Sequence, residues 1–175
     1  VWIGSDALIE ANNTIPNQTS IGNGIRLHPN INLGDMVDIG ATNEIWDLAT
    51  IGDGTVTGTD VVIGPFVVIG AGGVFGDRTI IRKGVDIGTW FKVGSDGEIG
   101  ADSQIGDEVT IGDWVFTWHN AGIGSESTLG DFVTLGIATI LGMDTEAGNN
   151  TVIRSSATMG DGSSRGPRLP VPRPA

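Results

Sequence analysis

Cysteine and tyrosine are absent from the 175 residues, and histidine occurs only twice. Without cysteine there is no disulfide, no thiolate metal site and no cysteine nucleophile, and redox chemistry says nothing about the compartment. Basic residues are scarce as well: nine Lys and Arg face 21 Asp and Glu, a formal net charge of −12. Three of the nine (Arg165, Arg168, Arg173) sit at the C-terminal end, so no basic cluster remains for phosphate contacts and nucleic-acid binding is not expected. No apolar run reaches the roughly 18 residues of a membrane span. The opening VWIGSD has neither a basic region nor an apolar signal core, so no membrane partner is expected and the expected location is cytoplasmic. The missing initiator Met points to processing or excision.

Helical periodicity is missing too, and a period of six stands in its place. In steps of six the chain gives Ile3, Ile9, Ile15, Ile21, Leu27, Leu33, Ile39, Ile45 and Ile51. The register runs on through Thr57, Phe75, Thr117 and Ala147 to Met159, 27 hexads without a slip. Gly usually follows the aliphatic residue, and a small or β-branched residue stands four places on (Thr19, Val37, Thr55, Val109, Val115, Ala121, Thr139, Thr145). Each hexad thus offers two inward residues and a turn, which suits short strands of an all-β solenoid and no helix.

The pattern aliphatic-Gly-x-x-small-x resembles the hexapeptide repeat of left-handed parallel β-helix proteins, most of which belong to the hexapeptide-repeat acyltransferase superfamily. The resemblance covers residues 3–164. It implies three hexads per triangular coil, hence nine coils and a rise of roughly 40 Å. It also implies a left hand, against the general right-handed rule for parallel crossovers. One hexapeptide-repeat domain is expected over 1–164. The remainder, RGPRLPVPRPA at 165–175, carries four Pro, cannot continue a ladder and suggests an extended tail.

Much of the acidity has a local reading. Asp35, Asp47, Asp53, Asp77, Asp107, Asp113, Asp131 and Asp161 all stand two places after the aliphatic position, where Asp suits a tight turn by bonding the backbone ahead. The first and ninth coils are polar and small in composition, as terminal coils that blunt their open edges would be. The third and fifth residues after each aliphatic are expected to be outward strand positions, and two regions are unusually apolar there. Leu48, Val56, Val62, Phe66, Val68, Val74, Ile80 and Trp90 form one; Trp114, Phe116, Phe132, Ala138 and Ile140 form the other. Contiguous apolar surface of this kind points to a subunit interface. Since members of the resembled family are typically trimers, a homotrimer through Trp114, Phe116 and Phe132 is expected.

Sorting the residue after each aliphatic by coil corner gives an uneven result. Two corners hold Gly throughout except for Pro16, as expected where the backbone bends sharply. The third holds Glu10, His28, Trp46, Gly64, Arg82, Gly100, Trp118, Gly136 and Arg154. Along this edge runs TWHNAG, residues 117–122, which is similar to the His-containing hexad of the acyltransferases. The resemblance implies His119 as general base, a role imidazole suits because it titrates near working pH. Asn120 and Trp118 would position the acceptor, and Arg82 and Lys83, two coils away, would hold the phosphates of acetyl-CoA or another acyl-CoA donor. IGATNEIWDLATI at 39–51 resembles the opening of sugar-nucleotide N-acetyltransferases and adds Trp46 as a substrate-binding residue.

Departures from the family are equally visible. No loop interrupts the repeat, and the family's usual C-terminal helix is missing from the pattern. With only His28 and His119 the three-His zinc site of γ-class carbonic anhydrases is excluded, and mixed outward columns argue against an ice-binding Thr ladder. No metal site is expected. Two readings stay open: an acyl-CoA-dependent acyltransferase acting on a sugar nucleotide, and a non-catalytic structural, scaffold or engineered solenoid. Perfect register favours the second and the irregular edge the first.

Overall fold

The structure, a computed structural model, describes residues 1–166. Residues 167–175, most of the expected tail, lie outside the described residues. Each hexad from Ile3 to Met159 forms a two-residue strand ending on its inward residue, beginning with β1 (Trp2–Ile3). The exception is the third hexad, where Thr14 makes only an isolated bridge to Asn32. A last strand, β27 (Ser164–Arg165), carries the ladder one residue past the expected boundary. All pairing is parallel at an offset of 18 residues, with Trp2 opposite Ser20 and Val62 opposite Ile80. Three hexads therefore close one coil, and the coils stack into three sheets: A with ten strands from β1 to β27, B with nine and C with eight. No helix occurs among the described residues, so none is long and apolar enough to cross a membrane.

The inward positions are the two expected ones. Ile21, Ile25, Leu27 and Ile31 are all at most 1% exposed, and burial of each such side chain contributes about 1.5–3 kcal/mol. Repetition around the prism fills the interior with ladders of Ile, Val and Leu. The first coil is polar in its turns, yet Ile3, at the end of its ladder, is 47% exposed.

Four details differ from the sequence expectations. The third residue after each aliphatic belongs to a turn, where the chain rounds the corner in the left-handed region. Trp90, Trp114, Phe66, Phe132 and Leu48 are among 21 non-glycine residues there with φ of 52–62°, a conformation that costs an L residue about 1–2 kcal/mol. Gly after the aliphatic is required by close stacking, since the bend falls two residues later. A Cβ on Gly40 would lie 2.2 Å from the Gly58 carbonyl oxygen in the next coil. Six of the eight corner Asp residues serve the preceding coil instead of the backbone ahead: Asp53 Oδ1 accepts the N–H of Asp35, and Asp131 Oδ1 that of Asp113, each across 18 residues. Finally, the first apolar region divides among three faces, with Val56 and Val74 on sheet A, Val62 and Ile80 half-buried on sheet B, and Val68 on sheet C. Of the second region, Trp114 and Phe132 stay together at the A/B corner, stacked with centroids 6.3 Å apart and rings 3° from parallel, and Phe116 follows on sheet B.

Candidate active-site edge

Two devices lock neighbouring coils at the A/B and C/A corners: Gly, which lets backbones approach, and an Asp, Asn or Ser whose oxygen takes the amide of the coil before. Ten amides are capped in this way at those two corners, among them Ser5, Thr59, Ser95, Thr89 and Met143. At the B/C corner one amide among the described residues is capped in this way by the coil ahead, that of Ile137 by Ser155 Oγ at 3.2 Å. Six of its nine first positions carry large side chains. Among the described residues this edge uses both devices less than the other two and carries large side chains in their place.

His119 stands there on the rim of a cleft of about 360 Å³. Glu98, Gly100, Phe116, Thr117 and Thr134 form the walls, and Trp118 stands beside the histidine on the rim. Thr117 explains a local irregularity. It occupies an inward aliphatic position, and its Oγ1 accepts the Gly100 N–H at 2.9 Å, so that only Glu98 and Phe116 remain paired between the two strands. The His119 ring is exposed and meets Trp118 edge-on at 6.4 Å and 89°. No carboxylate lies within 4.0 Å of the imidazole among the described residues. Asn120 follows in the left-handed turn at φ 56°, its amide bonded to Ala101 O at 2.9 Å.

Arg82 is already engaged. Its Nε donates to Glu98 Oε1 at 2.7 Å, a contact that raises the guanidinium pKa above its ordinary value and ties Arg82 to the wall of the His119 cleft. Lys83 carries its Nζ 5.6 Å from the Phe66 ring centroid, a cation–π contact. Arg82 and Lys83 border a second cleft of about 460 Å³, whose far side is Trp46. The structure therefore groups Trp118, His119 and Asn120 at one opening, and Trp46, Arg82 and Lys83 at another, on a single edge.

One constellation escaped the sequence reading. His28 Nε2 lies 3.1 Å from Glu44 Oε1 and Nδ1 lies 3.6 Å from Glu10 Oε1, while Arg26 approaches Glu44 at 3.7 Å. The imidazole is stacked on Trp46, centroids 4.2 Å apart and 9° from parallel. His28–Glu44 and Arg82–Glu98 are the same relation, a corner side chain meeting the outward strand residue 16 places on. That offset was the available signal. Among the described residues no three His, Cys, Asp or Glu side chains converge as a metal site would need.

No protein-family model matches the sequence, and no curated protein does. Solved structures do resemble it. A UDP-N-acetylglucosamine acyltransferase from Arabidopsis superposes with a TM-score of 0.80 at 18% identity, over 90% of this chain and 65% of that one. The corresponding enzyme of Francisella novicida gives 0.80 at 19% identity, over 85% and 61%. LpxA from Acinetobacter baumannii gives 0.62 at 17%, over 91% and 71%. The chain thus spans less than two thirds of the length of the first two. What nine coils, an 18-residue offset and these superpositions establish together is that the chain has the left-handed parallel β-helix fold found in the UDP-N-acetylglucosamine acyltransferases.

Proposed function

We propose that the B/C edge catalyses acyl transfer from a thioester to a hydroxyl or amine, with His119 as general base. The observation that carries this reading is the placement of His119 on a cleft at the corner where Gly and side-chain caps are fewest among the described residues. The neutral imidazole takes the proton from the acceptor as its oxygen or nitrogen bonds to the thioester carbonyl carbon. Collapse of the tetrahedral intermediate breaks the C–S bond, and the imidazolium returns the proton to the departing thiolate. Such a base contributes about 10² to 10⁴ in rate. Trp118 and Asn120 flank the acceptor, with Trp46 farther along the edge. Arg82 and Lys83, about 10 Å from His119 along the axis, meet the phosphates of a coenzyme A donor. The acceptor is a sugar nucleotide, the class named for the similar acyltransferases.

No loop encloses the edge, so a neighbouring chain completes the cleft. A homotrimer formed through Trp114, Phe116 and Phe132 supplies it. Thiol release from an acyl thioester in the presence of a UDP-sugar tests the reading. His119→Ala is expected to lower kcat by about 10² to 10⁴ with the fold unchanged; full activity in that variant, or in a monomer, overturns it.

A second reading, a non-catalytic solenoid, is favoured by one observation: no carboxylate orients the His119 ring. Calorimetry with acetyl-CoA separates the two, because a scaffold gives no binding heat.

A further inference from the structure

Trp46, Gly64 and Arg82 occupy one corner position in three successive coils, and Trp118, Gly136 and Arg154 repeat the series. Gly100 lies between Arg82 and Trp118, so every Gly gap on this stretch is bounded by one indole and one guanidinium. The gap at Gly64 opens into the cleft of about 460 Å³, floored by half-buried Val62 and Ile80.

Below this gap the edge is already a stack of rings. His28 and Trp46, on adjacent coils, lie face to face at 4.2 Å, close to the roughly 4.8 Å spacing of parallel strands. This pair shows that flat side chains on adjacent coils can stack at this position. At Gly64 that level is empty, and one coil later Arg82 lines the cleft, its Nε held by Glu98 at 2.7 Å. With His28 covering one face of the indole, the other side of Trp46 lines the cleft. Whatever fills the Gly64 level needs two flat faces, one for an indole and one for a guanidinium, and guanidinium stacks on planar π systems. Lys83, on the rim, has no carboxylate within 4.0 Å among the described residues, so an anionic substituent on the ring has a cation to meet.

We propose that this cleft binds a nucleoside diphosphate, its base at the Gly64 level between the Trp46 indole and the face of the Arg82 guanidinium, and its phosphates against Lys83 and the guanidinium nitrogens that Glu98 leaves free. The proposal deepens the acyl-transfer reading, and rests on it only for which nucleotide is carried there. The same chemistry is presented by the adenosine diphosphate part of a coenzyme A thioester and by the uridine diphosphate part of a sugar nucleotide.

Isothermal calorimetry on the full chain with ADP, UDP, adenosine and orthophosphate tests it. A nucleoside diphosphate is expected to bind, and Trp46→Leu to weaken it at least about tenfold, the scale of one base–aromatic stack. Gly64→Leu fills the missing level and is expected to abolish binding, while Lys83→Met weakens the diphosphates and leaves adenosine as it was. A Cβ on Gly64 would lie 2.9 Å from backbone atoms of Arg82 and Lys83, so circular dichroism melts of all three variants are compared with wild type, and if Gly64→Leu does not fold, Trp46→Leu and Lys83→Met decide. Preference for ADP assigns the cleft to the donor; preference for UDP assigns it to the acceptor. Absence of binding at millimolar concentration, equal affinity in Gly64→Leu, or orthophosphate binding as tightly as the diphosphates overturns the proposal. His119→Ala separates the two ideas: it should lose acyl transfer and keep nucleotide affinity. An active chain whose Gly64→Leu variant keeps KM for both substrates would sink the nucleotide site and leave the acyl-transfer reading standing.

Discussion

Asp113 Oδ1 accepts the backbone N–H of Ser95 at 2.7 Å, one full coil earlier in the chain. At the B/C corner the equivalent pair is residue 119 and the Ala101 amide, and there a histidine replaces the acceptor. Ser155, which caps Ile137 in the next coils, proves that the geometry is available on this edge. His119→Asp is therefore expected to raise the melting temperature while abolishing acyl transfer, a trade of function for stability. Asp113→Ala should lower the melting temperature. Differential scanning calorimetry of both variants decides it, and a His119→Asp protein that melts below wild type refutes the capping argument.

Inside the prism Asn43 is 1% exposed and fully used. Its Nδ2 donates to Thr57 Oγ1 at 2.6 Å and Gly58 O at 3.0 Å, and its Oδ1 accepts the Val61 amide at 2.7 Å. Asn43→Ala should cost about 1–3 kcal/mol by stranding these groups, visible as a lower urea midpoint. An unchanged midpoint would mean that water replaces the side chain without penalty.

The stacked Trp114 and Phe132 are 46% and 55% exposed, held outward in left-handed turns. Sedimentation equilibrium is expected to show a trimer for the wild type and monomers for Trp114→Lys with Phe132→Lys. A wild-type mass of 18.1 kDa would contradict the proposed assembly.

Acid should weaken the corners. Hydrogen bonds from the amide and hydroxyl of Thr89 hold Asp107 below the ordinary 3.8, those from Thr59 do the same for Asp77, and Arg78 does so for Asp96. Each folded value lies under the unfolded one, so each carboxylate favours folding above pH 3.8 and loses that contribution as pH falls through its lower folded value. Urea midpoints should hold steady down to about pH 5 and then drop, with a shallower drop in Asp107→Asn. A midpoint independent of acid would refute the assignment.

How much of this was legible from residues alone depends on what each position has to satisfy. The ladder was, because burying Ile39 and Ile45 at 0–1% exposure demands strict register. Three hexads to a coil was not a property of the spacing and came from the resemblance. Phe66 and Trp90 were misplaced on strands because bulky residues ordinarily avoid the left-handed region that they occupy at φ 59° and 58°. Gly40 was identified with the wrong cause, since a bend and a close approach both ask for glycine. The edge carrying His119 emerged once residues were sorted by coil, but the His28–Glu44 contact did not, because its 16-residue offset links two different columns.

Parallel pairing at a constant offset of 18 residues also fixes how the molecule responds to force. Each coil is held only by its neighbours, and the bonds between coils run along the axis. Tension on the termini should peel coils from the ends, one at a time. Each released coil of 18 residues lengthens the chain by about 60 Å of contour and surrenders only about 4.8 Å of stacked height. A force–extension trace would be a staircase with nearly equal treads, and a tread out of sequence would mark the coils joined by Asn43 and Thr57.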